Sequence, residues 1–316
     1  MNIFIGVDGG GTKTEAAAID SQGNVLSRYT GSSTNPYVVT FDGAMKELAR
    51  VLDSLLLPLS LAETSCNGAC FGMSGISSEG EQKKVISFLR SYQEERGIPF
   101  PLTLTTEAEI SLMASLEQEH GILVISGTGS NTYGITRNGE RYRAGGWGHI
   151  LGDEGSGYQI ALSSLKSVIK SHEGVLAPTI MSERIMKAYG FQEMTDLKAY
   201  VYRPAIGKSE IAAFARFCIE AAKDGDPAAL GILREQAKEI AETASALIRR
   251  HPELEETDVV CTGSIFKHSG LFLETFREAL GNRFPRLSFP EAKHDHTPAH
   301  GAALLAKKRY SDTACT

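Results

Sequence analysis

A glycine-rich turn near the N-terminus carries residue types that can bind phosphate. Residues 8–14 read DGGGTKT, after an apolar run at 3–7 and before a second strand-like run at 15–20. Glycine lets a backbone approach a ligand closely, and successive amides in a turn can form a concave anion site. Thr12 and Lys13 add a hydroxyl and a positive charge. The pattern predicts a β-hairpin whose turn binds a polyphosphate, although an ordinary glycine-rich hairpin explains the turn alone equally well.

Two common phosphate-binding loops do not match this segment. It lacks GxxxxGK[ST], and it leads into a predicted strand, whereas both the P-loop and the Rossmann turn lead into a helix. Similar turns recur later in the chain. Gly127, Thr128 and Gly129 separate predicted strands at 122–126 and 133–137. The repeat of strand, small-residue turn and strand indicates a duplicated domain whose halves hold one ligand from two sides.

Polar side chains follow several predicted strands of the first half. Glu107 comes after a short strand at 102–105, Ser74 follows a strand at 68–73, and Asn35 precedes a proline. Ligands of open α/β sheets bind at the carboxyl ends of strands. Glu107 is therefore a candidate base, or a carboxylate that favours a helix dipole. Asn35 could bind a sugar hydroxyl, or satisfy its own backbone.

The segment 145–157, GGWGHILGDEGSG, has neither helical nor strand periodicity. It holds the single tryptophan of the chain, Trp147, together with six glycines and two adjacent acids. A polar ligand site explains this composition better than core packing does, although Trp147 could simply anchor the loop. His149 has no nearby cysteine or histidine at ligand spacing, so a metal role for it is rejected.

Composition excludes several classes of protein. The formal net charge of the 316 residues is −6, without a long basic stripe, so no nucleic-acid partner is expected. No run of about 18 apolar residues predicts a membrane span, and no signal peptide is recognised, which favours the cytoplasm. The five scattered cysteines are Cys66, Cys70, Cys218, Cys261 and Cys315. Their spacing indicates reduced thiols rather than disulfides or zinc.

Taken together, these motifs resemble those of the sugar-kinase, Hsp70 and actin superfamily. Within it, the chain is similar to the BadF/BadG/BcrA/BcrD-type ATPases, which include N-acetylglucosamine and N-acetylmuramic acid kinases. The resemblance rests on the glycine turns at 8–14 and 126–130, the small-residue turn at 262–264, and the distinctive run at 146–156. It covers nearly the whole chain in the same order.

The resemblance implies an α/β fold with two ribonuclease-H-like (actin-like ATPase) domains and a cleft for nucleotide and sugar between them. The first domain would span 1–117 plus a returning C-terminal helix in 298–316, and the second would span 118–297. It further implies ATP and Mg²⁺ as cofactors, a small-molecule sugar as substrate, and a possible homodimer.

The resemblance also assigns roles to individual residues. Asp8 would orient magnesium through water. The residues implied for the nucleotide are Gly10, Gly11, Thr12, Lys13, Gly127, Thr128, Gly129, Ala212, Gly263 and Ser264. The residues implied for the sugar are Asn35, Ser74, Glu107, Gly146, Trp147, Gly148 and Asp153.

One position departs from the family pattern. The family's catalytic base is usually an aspartate in a Thr-Asp-Ala context, whereas this chain has Glu107 between Thr106 and Ala108. The additional methylene moves the carboxylate by roughly 1.5 Å, and a misplacement of about 1 Å can cost a hundredfold in rate. Either the pocket has adapted or turnover is impaired, and Asp153 is the second candidate base.

The predicted function is phosphorylation of the 6-hydroxyl of N-acetylglucosamine, N-acetylmuramic acid or both. A glucosamine kinase, an ATPase that activates a radical dehydratase, and a non-catalytic sugar sensor are the alternatives. The dehydratase activator requires cysteines that bridge an iron–sulfur cluster, and the cysteine positions here do not fit that requirement.

Overall fold

The structure is a computed structural model that describes residues 1–59, 64–76, 78–291 and 296–311. Cys315 and the end of the predicted first domain, residues 312–316, lie outside the described residues. The chain divides into two compact units. The first comprises Met1–His120 and Glu291–Thr316, and the second comprises Gly121–Pro290.

Each unit contains one β-sheet. The strands of the first are β1 (Asn2–Gly9), β2 (Thr14–Asp20), β3 (Val25–Gly31), β4 (Ser65–Met73) and β5 (Leu102–Thr105), in the order β3-β2-β1-β4-β5. Those of the second are β6 (Gly121–Ser126), β7 (Ser130–Ile135), β8 (Arg141–Gly145) and β9 (Val259–Thr262), in the order β8-β7-β6-β9. In both sheets the first three strands form an antiparallel meander. Strand β4 pairs in parallel with β1, β5 pairs in parallel with β4, and β9 pairs in parallel with β6. The predicted α/β class is confirmed.

Helices pack against these two sheets and against one another. They are α1 (Pro36–Val39), α2 (Phe41–Leu56), α3 (Glu79–Arg96), α4 (Glu107–Leu116), α5 (Gly157–His172), α6 (Ile180–Tyr189), α7 (Met194–Val201), α8 (Lys208–Ala212), α9 (Ala215–Lys223), α10 (Pro227–Arg250), α11 (Ser264–His268), α12 (Gly270–Gly281) and α13 (Pro298–Tyr310). A short 3₁₀ helix spans Pro252–Leu254.

The parallel pairing sets where chemistry can occur in the first unit. Strand β1 runs parallel to β4, and β4 runs parallel to β5, so their carboxyl ends lie on one edge of the sheet. Those ends lead into the 10–13 turn, Ser74 and the start of α4, respectively. Ser74, Glu107 and the 10–13 turn are therefore brought to the same edge.

Helix α13 returns to the first sheet and packs against it at backbone distance. A Cβ on Gly6 would overlap the backbone of Ala299 and Ala303. A Cβ on Gly301 would likewise overlap the Ile110 carbonyl of α4. Glycine at these two contacts lets α13 lie directly on β1 and α4, and it buries Ala302, Leu305 and Ala306 in the core.

The sequence pattern over 208–223 predicts a single helix, whereas the structure has two. Helices α8 and α9 are separate because the chain turns at Ala213 and Phe214. The Phe214 ring is fully buried and stacks on Tyr189 at 4.7 Å. Strand β8 and helices α1, α7 and α11 were not predicted, because elements of four to eight residues carry little periodic signal.

Candidate active site

The 10–13 turn between β1 and β2 is fastened to the segment that follows β3. The Gly10 N–H donates to the Lys13 carbonyl at 3.0 Å. The Gly10 carbonyl accepts from the Thr34 N–H at 3.3 Å and from the Ser33 hydroxyl at 3.1 Å. Ser33 and Thr34 are both buried, whereas Thr12 at the tip is exposed. The turn is thus held at its base and open at its tip.

Close approach, rather than an unusual backbone conformation, explains two of the glycines here. None of the three residues Gly9, Gly10 and Gly11 has a positive φ. A Cβ on Gly9 would lie 2.6 Å from the Thr34 hydroxyl oxygen, and one on Gly10 would lie 2.7 Å from the Lys13 carbonyl oxygen. A larger residue at either position would push the turn away from its support.

Asn35 and Ser74 lie together beside the end of β1. The Asn35 side-chain amide donates to the Ser74 hydroxyl at 3.2 Å, and the Ser74 N–H donates to the Gly9 carbonyl at 2.8 Å. The Asn35 side-chain oxygen accepts from the Tyr37 N–H at 2.9 Å and so caps α1. Asn35 therefore satisfies local backbone with one end and connects to a second predicted sugar-binding residue with the other.

Three carboxylates and one lysine surround the end of β1. Asp8 and Glu15 are paired positions across β1 and β2, and Glu15 forms an ion pair with Lys13. Burial is the main cause that raises the pKa of Asp8 to about 6, and the negative charges of Glu15 and Glu107 add to the rise against the opposing charge of Lys13. A cation bound near Asp8 would favour the charged form of this carboxylate.

Asp8 is suited to an outer-sphere role toward magnesium. Within the described part of the chain, no group of three or more His, Cys, Asp or Glu is arranged to hold a metal directly. Magnesium usually keeps several waters and binds one or two carboxylates together with substrate phosphates. The residues present therefore fit a hydrated cation held mainly by phosphate, with Asp8 contacting its water.

Helix α4 has two glutamates in its first turn, Glu107 and Glu109. Glu109 accepts from the Thr106 N–H at 3.3 Å and from the Thr106 hydroxyl at 3.2 Å. Buried Glu109 thus caps the helix, and it also faces Arg309 of α13 at 3.7 Å. Glu107, the first residue of α4, lies at the strand edge close enough to raise the pKa of Asp8, and its first-turn position also suits the helix dipole.

In the second unit, the 127–129 turn is attached to the start of α5. The Gly127 N–H donates to the Gly129 carbonyl at 2.9 Å. The Gly127 carbonyl accepts from the Gly157 N–H at 2.7 Å, and the Thr128 carbonyl accepts from the Tyr158 N–H at 3.3 Å. The Thr128 side chain is left exposed at the tip, as Thr12 is in the first unit.

The other residues predicted for the nucleotide in this unit lie around the same helix start. Gly263, between β9 and α11, has φ +101°, and a Cβ there would overlap the Ser126 backbone directly before the 127–129 turn. A Cβ on Gly157 would lie 3.7 Å from the Ala212 carbonyl oxygen at the end of α8. The structure therefore brings together residues that are far apart in the sequence.

Gly263→Ala should destabilise the second unit by about 2–4 kcal/mol, because an L-residue is strained at this φ and its Cβ has no space. Chemical denaturation monitored by circular dichroism would measure the change. Gly270→Ala is the matched control, since Gly270 has a helical backbone with nothing within 4 Å of an added Cβ. Equal stability of the two variants would contradict the assigned packing of Gly263.

The glycine-rich loop after β8 presents an exposed indole. Trp147 is 68% exposed and lies between Gly146 and Gly148, which have φ of +70° and +84°. The Arg143 guanidinium lies 5.6 Å from the centre of its ring. The exposed indole is accessible to a ligand, and its use in binding stays a prediction.

Asp153, in the same loop, is buried and held through both carboxylate oxygens. It is 2% exposed, and it has φ +64°, which is uncommon for a residue other than glycine. Oδ1 accepts from the Ser130 N–H at 3.4 Å, and Oδ2 forms an ion pair with Lys208 Nζ at 2.5 Å. Lys208 was not predicted as a site residue, because no local spacing connects it to Asp153.

The described cysteines do not suit an iron–sulfur cluster. Cys66, Cys70 and Cys218 are buried in the cores of the two units. Burial raises the pKa of each of these thiols, and that of Cys261, to about 12. Protonated thiols inside a core are poor metal ligands, so these four cysteines do not suit the cluster that a dehydratase activator requires.

Comparison with known proteins first defines the class. The structure is similar to a ROK family glucokinase from Streptomyces griseus, solved with glucose and AMPPNP, with a TM-score of 0.57 and 17% identity over 97% of this chain and 99% of that one. The fold is therefore the actin-like ATPase fold of the sugar kinases. Residues 5–306 match the BadF/BadG/BcrA/BcrD ATPase family, and the chain belongs to that family.

Two relatives within this similarity have named activities. One is the N-acetylmuramic acid/N-acetylglucosamine kinase of Clostridium acetobutylicum, 31% identical over 97% of this chain and 99% of the relative. The other is the N-acetyl-D-glucosamine kinase of Dictyostelium discoideum, 29% identical over 96% of this chain and 97% of the relative.

Among the described helices, we find none with the length and apolar character needed to cross a membrane.

Proposed function

We propose that the chain is an ATP-dependent kinase that phosphorylates the 6-hydroxyl of N-acetylglucosamine, N-acetylmuramic acid or both. The observation that carries this proposal is the arrangement at one sheet edge of Glu107, Asp8 and the 10–13 turn, with Asn35 and Ser74 beside them. A base, a cation-orienting carboxylate and an open glycine turn are the groups that phosphoryl transfer to a hydroxyl requires. The activities of the two named relatives support the substrate class.

Each residue has a defined task in this reaction. Glu107 accepts the proton of the attacking hydroxyl as the sugar oxygen bonds to the γ-phosphorus and the bond from that phosphorus to the ADP oxygen breaks. Asp8 would hold magnesium through a water, and magnesium, when bound, would neutralise phosphate charge. Asn35 with Ser74 positions the sugar. Most of the catalysis in such reactions comes from positioning and charge stabilisation, to which the turns contribute.

The remaining site residues divide between the two units. We assign Gly10, Gly11, Thr12 and Lys13 in the first unit to the nucleotide phosphates. In the second unit we assign Gly127, Thr128, Gly129, Ala212, Gly263 and Ser264 to the nucleotide. Trp147, with its flanking glycines Gly146 and Gly148, is assigned to the sugar, as is Asp153. We also propose the two units as the two ribonuclease-H-like domains implied by the sequence.

The function is tested by ADP release from purified protein with ATP and magnesium. Four sugars are compared: N-acetylglucosamine, N-acetylmuramic acid, glucosamine and glucose. We expect turnover with one or both N-acetyl sugars, well above that with glucosamine and glucose. Turnover with glucosamine alone would overturn the proposed substrate class. ADP release that no sugar stimulates would overturn the kinase assignment, and sugar binding measured by calorimetry would then indicate a sensor.

A further inference from the structure

The second phosphate-like turn has a lysine that sequence reasoning did not assign. Lys208 is the first residue of α8, and its ammonium forms the 2.5 Å ion pair with Asp153. A Cβ added to Gly129 would lie 2.6 Å from Lys208 Nζ and 3.0 Å from Asp153 Oδ2. The ammonium is therefore placed directly against the last residue of the 127–129 turn, and Gly129 provides the space for it.

The charge of the surroundings indicates why a cation is needed at this point. Every residue assigned to the nucleotide in the second unit is glycine, alanine, serine or threonine, so none carries charge. A nucleotide polyphosphate carries several negative charges, and uncharged turns alone compensate them only through backbone and hydroxyl dipoles. The first unit already has a lysine at its turn, Lys13, paired with Glu15. Lys208 paired with Asp153 gives the second turn the same combination.

The ion pair of Asp153 and Lys208 is partly buried, unlike an ordinary surface ion pair. The Asp153 side chain is 3% exposed, whereas that of Lys208 is 31% exposed. The carboxylate is fixed by Ser130 on one oxygen and by a backbone with positive φ, a conformation that costs energy and is found most often at functional sites. An ammonium has three N–H donors, so it can bind phosphate oxygens while it remains paired with one carboxylate oxygen.

We propose that Lys208 is a phosphate-binding residue of the nucleotide site and that Asp153 is the positioning residue that aims its ammonium at the 127–129 turn. This inference rests on the proposed use of ATP, but not on the identity of the sugar. It also gives buried Asp153 a task other than that of an alternative base, since its Oδ2 atom is engaged with a cation.

Equilibrium binding without sugar tests this proposal. Adenosine, ADP and the β,γ-imido analogue of ATP are titrated into the wild type and variants in the presence of magnesium. Lys208→Met should weaken binding of the phosphorylated ligands by about ten- to a hundredfold and leave adenosine unchanged, since a hydrogen bond to a charged group is lost. Lys208→Arg should retain most of the affinity. Lys187→Met, an exposed lysine of α6, is the matched control and should change none of the three affinities.

A second variant keeps the test valid if Lys208→Met fails to fold. Methionine leaves the buried Asp153 charge without its ion-pair partner, which is strongly destabilising. The double variant Asp153→Asn with Lys208→Met removes both charges. It should show the same loss of affinity for ADP and the ATP analogue, with the affinity for adenosine unchanged. An equal loss for adenosine, or no loss for any ligand, would overturn the proposal.

The outcome is separable from that of the proposed function. A wild type that phosphorylates N-acetyl sugars, with Lys208 variants that bind every ligand normally, would refute only the role of Lys208. A wild type that binds ADP through Lys208 but phosphorylates no sugar would refute the kinase proposal and support the role of Lys208. A wild type that binds the ATP analogue no better than adenosine would overturn both.

Discussion

Glu107→Gln should lower kcat for sugar phosphorylation by about a hundred- to ten-thousandfold, the usual contribution of a positioned base. Glutamine keeps the size of the side chain but cannot accept the hydroxyl proton. The affinity for the ATP analogue should stay close to that of the wild type, because the proton acceptor acts on the sugar. Initial rates of ADP release at saturating sugar, together with calorimetry of nucleotide binding, measure both quantities.

Two further variants sharpen this prediction. Glu107→Asp keeps the charge but withdraws the carboxylate, so we expect a fall of about a hundredfold, between the wild type and Glu107→Gln. Glu119→Gln is the matched control, since the half-buried Glu119 forms ion pairs with Lys308 and Arg309 of α13. It should cost at most about 1 kcal/mol of stability and leave kcat unchanged. A Glu107→Asp enzyme faster than the wild type would show that this pocket has not adapted to glutamate.

Asp8→Asn should make the protein more stable at neutral pH and less active. Burial and two neighbouring carboxylates raise the pKa of Asp8 from 3.8 to about 6. The folded state therefore binds the Asp8 proton more tightly than the unfolded state does. This stability is fully present below about pH 4, and it is lost as the pH rises through 6. Asparagine resembles the protonated form, so above pH 7 the variant should gain about 3 kcal/mol in the free energy of unfolding without metal.

The activity of Asp8→Asn should fall by about ten- to a hundredfold, the typical effect of losing an outer-shell partner of a metal. Urea denaturation at pH 4, 6 and 8 gives the stability, and the dependence of ADP release on magnesium concentration gives the metal effect. We expect the stability difference to shrink to near zero at pH 4. A variant that is less stable than the wild type at pH 8 would contradict the assigned charge balance.

Asp20→Asn is a control whose expected effect on stability at pH 8 is opposite to that of Asp8→Asn. Asp20 lies at the end of β2 and accepts hydrogen bonds from Asn24 and from the Gln22 N–H, which hold its pKa below the usual range. A group of this kind stabilises the fold above its unfolded pKa, and the stability is lost as the pH falls. The same Asp→Asn change in the same unit should therefore lower stability at pH 8 and leave kcat unchanged.

The sequence was most informative where function depends on local composition. The 10–13 and 127–129 turns, the strands around them and Asn35 before a proline are short-range features, and the structure has hairpins with these turns at their tips. The strand preceding Glu107 and the helix following it were also readable from periodicity. The raised pKa of Asp8 was not, because it depends on carboxylates from β2 and α4 that meet Asp8 only in the folded sheet.

The second unit shows the limit of local inference more clearly. Gly263 must be glycine because the end of β9 touches the backbone of Ser126, and the resemblance supplied its role without that reason. Lys208 meets Asp153 only after α8 packs beside α5, and the predicted continuous helix over 208–223 concealed that α8 is a separate element. Both features depend on contacts between segments that are far apart in the sequence, and hydrophobic periodicity does not reveal such contacts.

The most direct test of the central claim is the identity of the product formed by the wild type from ATP, magnesium and N-acetylglucosamine. Two-dimensional ³¹P–¹H correlation spectroscopy identifies the carbon that carries the phosphate. We expect the sugar phosphate to show phosphorus coupled to the two protons of C6 in each anomer, formed in equal amount with ADP. A phosphorus coupled to the anomeric proton would contradict the assigned position, and inorganic phosphate as the sole product would contradict the kinase itself.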